Sequence, residues 1–163
     1  MKEVFAIPCA GALIERTIDG EPHLLLQIRQ KENDHGTNGL LEIAAGKIRE
    51  YETVFDTLRR EVKEETGLTV TKIHGEEDAF CTLSGDVETL SFTPFCVTQN
   101  RSGAYSIILH TFLCEAEGEP LASTNETQDI RWMKASEVKA LVQHHPERFF
   151  FMHLNALRKY YGL

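Results

Sequence analysis

Short apolar runs, each bounded by polar or glycine-rich stretches, follow one another along most of the chain. Such runs predict buried strands. The first two, at 4–14 and 23–29, are separated by a turn signal around Asp19-Gly20. The polar stretch 31–39 predicts a loop, and a short apolar run follows it at 40–45. Further strands are predicted at 68–74, 79–84, 89–98, 104–115 and 130–133.

The segment from Thr53 to Gly67 departs from this alternation, because its apolar residues recur at helical spacing. Thr53 has the residue type and place of an N-cap. Gly67 suits the position that follows the last turn of a helix. The helix should therefore pack on the sheet through one apolar stripe, formed by Phe55, Leu58 and Val62.

Two more helices are predicted near the C-terminus. Ser136 is expected to cap one over residues 136–143, and the other should begin near Pro146. Strands before and after a central helix, with helices at the end, indicate an α/β layered sandwich. We detect no internal repeat or linker, so 1–163 is predicted to form one domain.

Composition excludes several classes of protein. The formal net charge of −8 argues against a nucleic-acid-binding surface, which needs clustered lysine and arginine. No apolar run approaches the roughly 20 residues of a membrane span, so no membrane partner is expected. The N-terminal stretch lacks the longer apolar core of a signal peptide, and the four cysteines include no C-x-x-C pair. We therefore expect a cytoplasmic protein.

Three carboxylates crowd one stretch of the predicted central helix. Glu61, Glu64 and Glu65 stand at positions i, i+3 and i+4, which share one face of a helix. Their mutual repulsion would cost stability unless a cation offsets it. Mg²⁺ and Mn²⁺ prefer oxygen ligands, so the face predicts a binding platform for a divalent metal ion.

The wider spacing resembles a known motif over the whole of residues 46–68. The stretch GKIREYETVFDTLRREVKEETGL matches the Nudix box, G-x5-E-x7-R-E-U-x-E-E-x-G-U with U aliphatic, at every position. The resemblance implies a Nudix α/β/α sandwich with a mixed β-sheet and a loop–helix–loop catalytic box. It also implies hydrolysis of a nucleoside diphosphate linked to another group, with Mg²⁺ as cofactor and Mn²⁺ as a substitute. The expected partner is a small-molecule nucleotide substrate, and family members also form homodimers.

The same resemblance assigns roles within the box. Glu61 and Glu65 would be the principal metal ligands, and Glu64 a further ligand, through water or a second ion. The backbone carbonyl of Ala45 resembles the family's carbonyl ligand just before the box glycine. Arg60 would act in catalysis by orienting a carboxylate or by pairing with the loop residue Glu52.

A carboxylate from outside the box is expected to act as general base or additional metal ligand. Glu126 is one candidate, because NETQDIRWM resembles the family's stretch before its tryptophan strand. Glu115 is the other, because some members place a ligand at the end of the corresponding strand. A plain surface acid is the alternative for each.

The substrate is predicted from the run LLEIAAGKIREYE at 40–52, which resembles that of ADP-ribose and nucleotide-sugar pyrophosphatases. Glu42 would position the substrate or face solvent at the strand edge. The alternatives are a nucleoside triphosphate pyrophosphohydrolase and a non-catalytic domain that senses nucleotides. Two roles are equally possible for four aromatic residues: stacking on the base of the substrate, or packing in the protein core. These residues are Phe80, Phe92, Phe95 and Tyr105.

Overall fold

The computed structural model describes residues 3–32 and 36–163, and within them a mixed sheet carries most of the chain. Its strands are β1 (Ile7–Ile18), β2 (Glu21–Arg29), β3 (Leu41–Glu42), β4 (Ala44–Lys47), β5 (Thr69–Ile73), β8 (Cys96–Gln99), β9 (Ile107–Glu117) and β10 (Thr127–Lys134), and β6 (Phe80–Ser84) and β7 (Val87–Ser91) form a separate hairpin. The main path of the mixed sheet runs β10-β2-β1-β9-β5, with β3 on β2, β4 on β1 and β8 on β9. The strand β1 pairs in parallel with β9, and the other pairs are antiparallel.

Helices cover the two faces of this sheet. The helix α1 (Val54–Thr66) lies on one face, and α2 (Ala135–His144) and α3 (Phe151–Tyr161) lie on the other. Side chains of a strand alternate between faces, so neighbouring residues enter different cores. Leu25 packs with α1, whereas Leu24 and Leu26 pack with α2 and α3. This arrangement confirms the predicted α/β/α sandwich with a mixed sheet.

The central helix forms as its sequence predicts. The Thr53 side chain accepts a hydrogen bond from the Asp56 backbone N–H at 3.1 Å. Gly67 ends the helix with φ 79°, and its N–H donates to the Lys63 carbonyl. The apolar stripe is buried against the sheet, so the acidic face of α1 is turned toward β4 and the loop that follows it.

Three predicted elements differ in the structure. The predicted strand at 89–98 is interrupted between β7 and β8, because Pro94 has no N–H for a sheet ladder. Ser136 lies inside α2 and caps nothing, since β10 runs directly into that helix at Lys134. The last helix begins at Phe151, after a 3₁₀ turn at Pro146–Arg148.

Within the described residues, no helix is both long and apolar enough to cross a membrane.

Candidate active site

A cavity of about 880 Å³ opens between α1, β4 and the chain segments that flank β2 and β10. Its wall is unusually rich in both signs of charge. The carboxylates are Glu42, Glu61, Glu64, Glu65 and Glu126. The cations are Arg29, Lys31, Lys47, Arg49 and Arg60. Backbone from Ala45 and Gly46 completes the floor, so the cavity collects every predicted site residue except Glu115.

The Glu61 carboxyl group lies directly against the backbone of β4 at Gly46. A Cβ placed on Gly46 would overlap the Glu61 carboxyl group, so only glycine leaves room for that carboxylate. Burial is the largest cause of a raised pKa for Glu61, while the Arg60 hydrogen bond opposes the shift. The first glycine of the box therefore makes space for a carboxylate whose charge is costly to bury.

Arg60 joins the loop to the carboxylate face. Its guanidinium donates to both oxygens of Glu52, at 2.7 and 2.8 Å, and to Glu61 Oε1 at 2.5 Å. Glu52 also accepts from the Thr57 hydroxyl and the Arg49 backbone N–H. These hydrogen bonds, led by that of Arg60, lower the Glu52 pKa to about 2. Arg60 therefore both pairs with Glu52 and orients Glu61, the two roles considered from the sequence.

Glu65 is the most enclosed acid of α1, with 6% of its side chain exposed. Its Oε2 accepts from the Gln27 amide at 2.9 Å and from the Ala45 N–H at 3.1 Å. Its Oε1 accepts from the Lys31 ammonium at 3.0 Å. The three donors fix the carboxylate and leave Oε1 directed at the cavity beside Lys31.

Glu64 and Glu126 lie at the open side of the cavity. The side chain of Glu64 is 54% exposed and receives a hydrogen bond of 3.3 Å from Arg60. Glu126 pairs with Lys31, and its backbone carbonyl accepts from the Gln30 N–H at 2.8 Å. The fold therefore brings Glu126, which lies 58 residues after the end of the box, close to Glu65 through their shared contact with Lys31.

The structure separates Glu115 from this group. Its carboxylate contacts His74 at 3.3 Å and Lys72 at 3.9 Å, and it lines a different cavity of about 490 Å³. The part of β9 that reaches the active-site cavity is its start, at Ile107 and Leu109. Six residues of strand cover roughly 20 Å, which carries Glu115 beyond reach of the α1 carboxylates.

We therefore expect Glu115→Gln to leave turnover within about twofold of wild type, because a distant, screened surface charge changes little. Steady-state hydrolysis of a shared substrate by Glu115→Gln and Glu126→Gln would check this. A loss of activity in Glu115→Gln equal to that in Glu126→Gln would contradict the placement.

The oxygen atoms that the cavity offers suit a hard divalent cation. The side-chain groups that supply them are carboxylates, and all lie on or beside one cavity. Within residues 3–32 and 36–163, no three His, Cys, Asp or Glu side chains converge closely enough to enclose a metal ion. Mg²⁺ is commonly held by one or two carboxylates and completes its shell with water and substrate phosphate. Glu61 and Glu65, one turn apart, meet that requirement.

Glu42 is buried beneath the Glu65 site, with 3% exposure, so the solvent-facing alternative for this residue is wrong. It accepts from Arg29 at 3.1 Å, and the Gln27 amide bridges it to Glu65. Burial is the main cause that raises the Glu42 pKa to about 7, and the charge of Glu65 adds to it. Glu42 therefore supports the floor of the cavity.

The opposite wall is apolar and aromatic. Tyr105 packs edge-on against Phe150 at 5.6 Å between ring centroids, and the Arg29 guanidinium lies over the Phe150 ring at 4.4 Å. Tyr105 is the one of the four candidate aromatic residues that lines the cavity. Of the others, Phe92 is partly buried and packs against the core, Phe95 lies beside Lys159, and Phe80 is exposed on the β6–β7 hairpin.

His153 closes the base of this aromatic wall. It is 3% exposed, and its Nδ1 accepts from the Ile43 N–H at 3.2 Å, so the neutral ring carries its proton on Nε2. Burial, reinforced by the charges of Arg29 and Lys31, lowers the His153 pKa to about 3.

Acid should destabilise the fold through His153. The folded pKa lies below the ordinary value of 6.5, so the unfolded chain takes up the proton first as the pH falls. The stabilising contribution is complete above pH 6.5 and is lost progressively toward pH 3. Between pH 7 and 5 the loss amounts to about 2 kcal/mol in the free energy of unfolding.

Urea denaturation at several pH values, on wild type and His153→Gln, would measure this effect. We expect the variant to have a flatter pH dependence, by about 2 kcal/mol over that interval. His144→Gln, which removes an exposed histidine, is the matched control. Equal pH dependence in wild type and His153→Gln would show that His153 is not the responsible group.

Cys9 also lines the cavity, and burial raises the pKa of its thiol to about 11. A thiol with so high a pKa carries almost no thiolate at neutral pH. The cavity therefore favours chemistry by oxygen groups and water over attack by cysteine.

Sequence reasoning missed the cations and the amide that organise the carboxylates. Gln27 and Arg29 belong to an apolar strand pattern, and Lys31 begins a stretch predicted only as a loop. None belongs to the box. The sequence does contain one indication of their role. At the end of β2, polar residues replace the apolar run immediately before the loop.

Comparisons with known proteins agree with this geometry. The family model of the NUDIX domain matches residues 8–153. No curated protein matches the chain significantly.

Solved structures with the same fold include three from different organisms. The NUDIX domain of Shewanella oneidensis NrtR, complexed with ADP ribose, is 15% identical with TM-score 0.69, covering 98% of this chain and 89% of that one. The MutT NUDIX hydrolase from Burkholderia pseudomallei is 19% identical with TM-score 0.63, covering 94% and 96%. A C. elegans Ap4A hydrolase binary complex is 14% identical with TM-score 0.54, covering 96% of each chain.

At these identities the structural likeness shows the fold, whereas the family model spans most of the chain. The box that contains the clustered carboxylates lies wholly within the matched residues. The chain therefore belongs to the NUDIX domain family.

Proposed function

We propose that this protein is a Mg²⁺-dependent hydrolase that cleaves the pyrophosphate linkage of a nucleoside diphosphate derivative, with ADP-ribose or a nucleotide sugar as substrate. The observation that carries the proposal is the pair Glu61 and Glu65. They stand one turn apart inside a cavity that also holds cations able to bind phosphate oxygens.

The carboxylates and their supports would hold the ion. Glu61 and Glu65 supply side-chain oxygens, the Ala45 carbonyl adds a backbone oxygen, and Glu64 contributes from the open side. Mn²⁺ suits the same oxygen ligands. Bound Mg²⁺ would supply charge neutralisation for the phosphates and activation of the attacking water.

The remaining residues position substrate and move the proton. Glu126 is half exposed beside Glu65, which suits a general base that takes a proton from water. Arg49 and Lys47 line the rim, where they can pair with phosphate oxygens. Arg60 holds Glu61 in place through its bidentate pair with Glu52. Water would attack phosphorus, and the nucleoside monophosphate and the second phosphorylated group would separate.

Three observations support the choice of substrate. The cavity, at about 880 Å³, is of the size that holds small-molecule ligands. Its aromatic wall at Tyr105 and Phe150 offers an apolar surface for a base or sugar opposite the charged wall. The structural neighbour from Shewanella oneidensis was solved with ADP ribose bound.

A substrate panel at slightly alkaline pH would test the proposal. ADP-ribose, ADP-glucose, a diadenosine polyphosphate, and canonical and oxidised nucleoside triphosphates would each be incubated with Mg²⁺ or Mn²⁺. Products would be quantified by chromatography. We expect preferential formation of AMP from ADP-ribose or the nucleotide sugar.

Pyrophosphate release from triphosphates alone would overturn the substrate and indicate a nucleoside triphosphate pyrophosphohydrolase. No turnover on the whole panel, together with tight binding of a nucleotide, would overturn catalysis and indicate a sensing domain. The Glu61→Gln variant is the control for contaminating activity, since it should be inactive on any true substrate.

A further inference from the structure

We propose that Lys31 is a displaceable counter-ion of the site: its ammonium neutralises Glu65 and Glu126 and gives way when a divalent cation binds Glu65. This inference rests on the proposed function, because it concerns the same carboxylates. It assigns Lys31, which lies outside the box, a role in setting the affinity for metal.

The ammonium group of Lys31 lies between two carboxylates of the site. Lys31 Nζ donates to Glu65 Oε1 at 3.0 Å and contacts Glu126, so it bridges two acids from different parts of the chain. The side chain is 23% exposed, and therefore the pair is partly removed from water. A cation that shares Glu65 Oε1 with this ammonium would meet a like charge at close range.

Glu65 has only one carboxylate oxygen, Oε1, that is open to a metal ion. Its Oε2 already accepts two hydrogen bonds, from Gln27 and from the Ala45 N–H, and both donors are held by the fold. The lone pairs that face the cavity are those of Oε1, where Lys31 is bound. Metal and lysine therefore compete for one atom.

The fold holds the backbone of Lys31 in place but leaves its side chain able to move. The Asn38 side chain accepts from the Lys31 N–H at 2.7 Å and donates to the Lys31 carbonyl at 3.0 Å. Lysine has a flexible stem of four carbons, and its compact ammonium group can pair with oxygen atoms in many orientations. On leaving Glu65 it stays within the cavity, where it can pair with a substrate phosphate.

The test is the affinity for Mn²⁺ without nucleotide, measured by electron paramagnetic resonance of the free ion. We expect Lys31→Met to bind Mn²⁺ about tenfold more tightly than wild type, because the competing charge is gone. Lys31→Arg, which keeps the charge, should remain close to wild type. Lys139→Met is the matched control: it removes an exposed lysine of α2, on the opposite layer from the cavity, and should leave the affinity for Mn²⁺ unchanged.

A second readout uses a nucleoside diphosphate in saturating Mg²⁺, whose binding Lys31→Met should weaken. Far-ultraviolet circular dichroism establishes that each variant is folded. Unchanged or weaker Mn²⁺ binding by a folded Lys31→Met would overturn the role of Lys31 while leaving the proposed function in place. Absence of Mn²⁺ binding by wild type and by all variants would overturn both.

Discussion

Glu61→Gln should lower kcat by about three orders of magnitude and leave the protein as stable as wild type, or more stable. The loss of activity follows because a neutral amide cannot replace a carboxylate in binding a divalent cation, and such electrostatic groups each account for large factors in rate. The retained stability follows because burial raises the pKa of Glu61, so its negative charge is a cost to the fold.

Glu65→Gln should show a comparable loss of turnover, because it removes the second carboxylate of the pair. Hydrolysis would be measured at saturating Mg²⁺, with the free energy of unfolding of each variant determined by urea denaturation. The matched control is Glu137→Gln, an exposed acid of α2 on the opposite layer. Near-normal turnover in both Glu61→Gln and Glu65→Gln would contradict the assignment of this face to metal.

Gly46→Ala should reduce activity by about a hundredfold, because the new methyl group would occupy the space of the Glu61 carboxyl and move it from its position. The substitution should also destabilise the fold by about 1 kcal/mol, because the displaced Glu61 carboxyl group loses its hydrogen bond to Arg60. Backbone strain contributes nothing, since Gly46 is outside the set of residues with positive φ.

A double-mutant cycle separates this clash from a general effect of alanine. In the Glu61→Ala background the carboxyl group is absent, so Gly46→Ala should cost little further stability. Urea denaturation of the four proteins gives the interaction free energy directly. If Gly46→Ala destabilised the fold equally in both backgrounds, the close contact between Gly46 and Glu61 would not be its cause.

The sequence predicted correctly the features of the fold that depend on residues close together in the chain. Three such features belong to α1: the N-cap at Thr53, the apolar stripe and the end of the helix at Gly67. Each involves residues within a few positions of one another. The prediction failed where the deciding interaction was not local. Ser136 looked like a cap, but the pairing of β10 with β2 carries the chain straight into α2.

The same distinction explains the site. Glu61 and Glu65 were predictable because helical spacing alone places them together. The partners of Glu65 come from β2, β4 and the stretch after β2, which the sheet assembles. In the sequence, Glu115 and Glu126 were equally good candidates for the additional carboxylate. The fold separates them: β9 carries Glu115 away from the cavity, whereas the hydrogen bond from the Gln30 N–H to the Glu126 carbonyl holds Glu126 at its edge.

Metal dependence is measured most directly by the cleavage of ADP-ribose by purified protein with Mg²⁺ and with EDTA in excess, followed by chromatography of the products. We expect AMP and ribose 5-phosphate with Mg²⁺, and no formation of either when the ion is removed. Turnover that persists undiminished in EDTA would contradict a metal-dependent site at Glu61 and Glu65.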